Sequence, residues 1–151
     1  MIVFVALIMI LLIGFLGLAV DVGHFSMVKT QLQNAADAGA LAGAAAFQTT
    51  RDPYNEAIFY VKQNKSDNVN LIEADITCQD AGNLLTSCTV PAAVKIQVTI
   101  RRAPGSNGNG GPVPTYFAKI LNTSGAFDTV QVAASAKAEL KAGKPHLIPL
   151  Q

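Results

Sequence analysis

The sequence predicts an α+β protein, with one long N-terminal helix laid against a small antiparallel β-sheet head. Three observations predict it. The first twenty residues, Met1–Val20, are apolar without interruption and carry no charged side chain. No proline occurs before Pro53, and apolar or small residues recur at three- and four-residue steps to the middle forties. Beyond Pro53 the pattern changes to short runs that alternate apolar and polar residues, the mark of strands with one wet face. The expected division is a helix over 1–48, a head over 49–142 and a tail over 143–151.

The apolar run comes first. As a helix it spans ~30 Å, enough to cross the hydrocarbon core of a bilayer. A cleaved secretory signal has a shorter apolar region, a basic lead-in and a small-residue cleavage site. Here the run is long, no Lys or Arg precedes it, and the helical pattern continues beyond it. A retained anchor is therefore expected, and the missing basic flank points to a leader removed upstream or to numbering that begins after it. Phe4, Ile8, Leu11, Phe15 and Leu18 of this segment are the expected filament core.

The helix then continues through Phe25, Val28, Leu32, Ala35, Ala36, Gly39 and Gly43. Ala35, Gly39 and Gly43 are four apart and make a stripe of small residues, which lets another backbone approach closely. Glycine within a helix costs about 1 kcal/mol relative to alanine, so the stripe implies packing. Its partner is either the protein's own C-terminal half or a neighbouring subunit. If subunits meet there, Gly39→Leu or Gly43→Leu abolishes assembly and leaves the monomer folded. Gly14, Gly17 and Gly23 extend the set of candidate packing positions. Asp21, just past the apolar run, reads as a wet interfacial carboxylate or as the partner of a positive group on a neighbour. With His24 alone beside it, it makes too few ligands for a metal.

In the second half, Asp52 and Pro53 read as the cap and first position of a short helix ending near Asn64. Strands are expected over Ile72–Cys78, Val94–Arg101 and Thr129–Leu140, with a return strand near Cys88–Val90 and a helix over Pro114–Leu121. The run Pro104–Pro112 is a glycine-rich loop without the GK[ST] of a nucleotide site. Cys78 and Cys88 close a short disulfide loop if this half lies outside the cytoplasm, and are two buried thiols otherwise.

Composition argues against several functions. Hydrophobic residues make up 50% and charged residues 14%. Net charge is +1 and there is no Trp, so neither field nor stacking platform suits nucleic acid. Charge is split, with four basic and eight acidic residues up to Val94 against seven basic and two acidic from Lys95 on, a polarity that suits head-to-tail packing. His24 and His146 stand at opposite ends, no Gly-x-Ser-x-Gly occurs, and no cofactor motif is present. The chain does not read as an enzyme.

Gly17-Leu-Ala-Val-Asp-Val-Gly23, followed by Leu32-Gln-Asn-Ala-Ala-Asp-Ala-Gly-Ala-Leu-Ala-Gly43, resembles the TadE/TadG-like group of Flp (tight adherence) pilus-assembly proteins. Pro114-Thr-Tyr-Phe-Ala-Lys-Ile-Leu121 and the strand after it are similar to that family's ending. The resemblance implies a type IV-pilin-like subunit or assembly protein. It implies an inner-membrane anchor, the C-terminal part outside, and pilus machinery and other copies of itself in a helical filament as partners. Val5 stands where ordinary type IV pilins place a glutamate.

Overall fold

With no proline and no run of helix-breaking residues before the forties, the N-terminal segment forms one helix, α1, over Ile2–Ala46. At 1.5 Å per residue it is ~68 Å long. The computed structural model describes residues 1–80, 83–85, 88, 95–105, 109–121 and 127–140. The buried residues of α1 begin at Gly17 and continue through Asp21, Val28, Leu32, Ala35, Ala36, Gly39, Ala40, Gly43 and Ala44. That three- and four-residue rhythm marks a single covered face. Positions 2–16 are exposed all round the helix.

α1 stops two residues short of the expected end, and Asp52 opens α2 at Pro53–Lys62. Proline at the first position holds Asp52 extended, and its carboxylate accepts from the Tyr54 N–H at 3.0 Å. Ala57 and Val61 of α2 are fully buried against α1. A short hairpin follows, β1 (Lys65–Ser66) and β2 (Val69–Asn70), closed by Asp67 and Asn68, both at positive φ. Asp and Asn tolerate that conformation, which a two-residue hairpin turn requires.

The main sheet has the order β4-β3-β5-β8, antiparallel throughout. Its strands are β3 (Asp75–Asp80), β4 (Asn83–Leu85), β5 (Lys95–Arg102) and β8 (Val132–Glu139). Alternate residues Ile96, Val98 and Ile100 of β5, with Val132, Ala134 and Ala136 of β8, join Val28, Leu32, Ala35, Ala36 and Ala40 of α1 in the core. A minor pair, β6 (Val113–Pro114) and β7 (Thr129–Val130), leads into β8. The architecture is α+β with a pilin-like arrangement, as the sequence predicts.

Four local expectations need correction. The strand expected from Ile72 begins at Asp75, because the amides of Ile72 and Glu73 donate to Asn109 Oδ1, at 3.0 and 3.1 Å, instead of entering a ladder. The return strand is Asn83–Leu85, earlier than expected; Thr89 and Val90 lie outside the described residues. Pro114–Leu121 is not one helix: Pro114 pairs in β6, and only Ala118–Leu121 turns, as a 3-10 helix. The last strand is interrupted at Gln131, which separates β7 from β8. Val94, residues 106–108 of the glycine-rich loop and the tail 143–151 also lie outside the described residues.

Candidate functional site

Gly17, Asp21 and His24 share one face of α1 at the end of the apolar run. Gly17 and Asp21 meet one segment of the head, and His24 reaches a second as well. The meeting segment is Thr115–Ala118, held from behind by Thr115, whose N–H donates to Asp128 O at 3.0 Å and whose Oγ1 donates to Phe127 O at 2.6 Å. This leaves the amides ahead of the 3-10 turn without partners of their own. Asp21 supplies the acceptor. Its Oδ1 takes the Tyr116 N–H at 2.9 Å, its Oδ2 takes the Ala118 N–H at 2.7 Å, and Phe117 N lies 3.0 Å from Oδ2 and 3.3 Å from Oδ1.

One turn earlier, Gly17 makes room for the Phe117 side chain: a Cβ at Gly17 would sit 2.9 Å from its ring carbons. Phe117 thus reaches down beside the apolar run. Asp21 is only 2% exposed, so neither sequence reading of it holds: it is not wet, and its partners are backbone amides of its own chain. It lies past the apolar run. Burial alone raises its pKa, but the hydrogen bonds from Tyr116, Ala118 and Phe117, with the nearby His24, bring it below the ordinary 3.8.

A second contact lies one turn further along. His24 Nε2 is 3.1 Å from Asp67 Oδ1 in the β1–β2 turn, and its ring centroid is 5.2 Å from that of Tyr116. The Asp67 N–H donates to Gln31 Oε1 at 2.8 Å. Buried Arg102 approaches the same turn: Nη1 donates to Ser66 O at 3.4 Å and lies 3.5 Å from Asp67 Oδ2, while Nε donates to Gly111 O at 3.1 Å. Asn109 closes the loop behind by donating to Glu73 O and Arg101 O. Sequence reasoning missed Asp67, Arg102 and the 116–118 amides. The Asp67-Asn68 pair, a hairpin turn signal, could have located the first.

The remaining candidates fall into four groups. Ala35, Gly39 and Gly43 are buried within the chain. A Cβ on Gly39 would meet Val61 Cγ2 at 2.7 Å and Ala57 O at 3.2 Å; one on Gly43 would collide with Ile96 Cδ1 and lie 3.1 Å from Pro53 O. The protein's own head therefore occupies the stripe, so the expectation that Gly39→Leu or Gly43→Leu spares the monomer is corrected. Gly14 and Gly23 have open space around them. Phe4, Ile8, Leu11, Phe15 and Leu18 are exposed. Cys78 and Cys88 form a disulfide, with Cα atoms 5.3 Å apart. Charges from the two halves meet inside the chain, Arg101 with Asp75 and Arg102 with Asp67. Among the described residues no three His, Cys, Asp or Glu side chains gather to hold a metal.

What this arrangement does chemically is grip: a buried carboxylate and an ion-paired turn fix the head to the rod where the rod becomes bare. Residues 1–46 match the family model of putative Flp pilus-assembly TadE/G-like proteins. No curated protein and no solved structure matches the chain. The TadE/G-like match thus coincides with α1, and the head lies beyond it. Within the matched stretch, Gly17 and Asp21 are positions whose partners, Tyr116–Ala118, belong to the head.

Proposed function

We propose that this chain is a pilin-like component of a Tad-type pilus system. Met1–Val20 holds it in the inner membrane with the head outside, and copies then polymerise through that helix into a cell-surface filament. The observation that carries the reading is the bare apolar end of α1. It is long and apolar enough to cross a membrane, and positions 2–16 are exposed all round. In water each exposed Å² of such surface costs about 25 cal/mol, so lipid or sister helices must cover it. The Cys78–Cys88 disulfide fits a head in an oxidising compartment.

A second reading is an assembly component that stays in the membrane and primes a pilus made of another subunit. One observation favours it: Gly39 and Gly43, which would allow close packing between copies, are occupied by the head. Shearing the cell surface and probing filaments and membranes for the chain tests both. Recovery as the repeating subunit of sheared filaments supports polymerisation. Retention in the membrane at a few copies per cell selects the second reading. Secretion of a freely soluble chain defeats both.

A further inference from the structure

The exposed apolar surface does not end with the helix. Where α1 leaves its apolar run, the head presents Tyr116, Phe117, Ile120 and Phe127, which are 54, 41, 72 and 61% exposed. Lys119 stands among them, and Asp128 follows Phe127. The level of Tyr116 and Phe117 along the rod is set by contacts already described. Ile120 and Phe127 are tied to that segment, since the Ile120 N–H donates to Phe117 O and Thr115 Oγ1 donates to Phe127 O. Asp21 fixes Tyr116–Ala118 one residue past the apolar run, and Phe117 packs on Gly17, ~6 Å further down the axis. If Met1–Val20 fills a ~30 Å hydrocarbon core, the Phe117 ring lies inside its upper edge.

We infer that Tyr116–Ile120, with Phe127 beside it, is a second membrane contact: a foot that rests in the interfacial layer of the bilayer next to the anchor. The occupant is lipid. Two further arguments support that choice. Backbone entering a bilayer must have its polar groups satisfied, and the amides of Tyr116, Phe117 and Ala118 are all taken by Asp21. The side chains are also of the right kinds, since Tyr and Lys keep a polar tip in the headgroups while their apolar bodies lie below. The inference rests on the membrane-anchored reading above.

The chain contains no Trp, so one introduced indole is its sole reporter. The full chain would be reconstituted in phosphatidylcholine vesicles, with or without brominated acyl chains. The variants are Leu11→Trp in the anchor, Ile120→Trp and Phe127→Trp in the foot, and Tyr60→Trp on α2, which packs near Gly39, roughly 27 Å up the rod. All four sites are exposed, so folding is not at stake. The expected result is roughly twofold loss of emission for Ile120→Trp and Phe127→Trp in brominated vesicles, with Tyr60→Trp unchanged. Foot variants quenched no more than Tyr60→Trp, while Leu11→Trp is quenched, would overturn the foot alone. A blue-shifted but unquenched foot would assign the patch to a protein neighbour and also overturn it. An unquenched Leu11→Trp would remove the anchor reading itself.

Discussion

Asp21 accepts from three backbone amides and from no cation at hydrogen-bond distance among the described residues. Its geometry demands two bare oxygens. Asp21→Asn keeps one and turns an N–H donor on the other amides, so the 116–118 segment loses its shared acceptor. Charge-assisted hydrogen bonds of this kind are stronger than neutral ones, and amide exchange at Tyr116, Phe117 and Ala118 is expected to quicken by roughly tenfold or more. Asp37→Asn is the comparison: that carboxylate is exposed, accepts from Gln33 Nε2, and should leave exchange unchanged. The pH response follows from the same contacts. Because the folded-state pKa of Asp21 lies below the ordinary 3.8, the stabilisation it gives is complete above that value. It is lost as pH falls through the lower, folded-state value. NMR shifts of the three amides should therefore hold steady from neutral pH to the ordinary carboxylate range, then move together in stronger acid. Movement above that range would mean the carboxylate is not held as described.

Between elements, the decisive contact is α1 with α2 and β5 through Gly39 and Gly43. These positions allow Val61, Ala57 and Ile96 to lie against the helix backbone. Leucine at either position must push α2 or β5 away, an overpacking cost of about 1–3 kcal/mol or more. Gly23→Ala is the converse case: with open space around it, alanine should stabilise by ~1 kcal/mol through helix propensity alone. Urea unfolding of the three variants would show opposite signs; equal stability for Gly39→Leu would mean the head does not use this face. The elements also show what a single sequence reveals. The rod, the Asp52-Pro53 helix start and the alternation of β5 were legible because each is encoded by neighbours in sequence. The small-residue stripe was legible as packing, but not which surface it packs on. Asp21 and Tyr116 are 95 positions apart, and nothing local in either motif names the other. Sequence separation also hid Asn109, whose side chain delays β3 by holding the amides of Ile72 and Glu73, 37 and 36 positions away.

Taken whole, the molecule is a rod gripped along one face from Gly17 onward and bare before it. The buried core contains no residue earlier than Val28, and the contacts nearest the bare end are Phe117 on Gly17 and the amides on Asp21. The fold and the bare apolar end therefore depend on different residues, and a truncation can separate them. Removing residues 1–16 should yield a soluble chain that keeps the Cys78–Cys88 disulfide and unfolds within a few degrees of the full chain in detergent, since no core contact is lost. Removing residues 1–21 takes Gly17 and Asp21 as well. The amides of 116–118 then have no acceptor, and the midpoint should fall by several degrees more. Calorimetry on the two truncations decides the matter. Equal midpoints would mean that the grip at the helix exit contributes nothing to the fold, and a first truncation that fails to fold would mean the bare end is part of it.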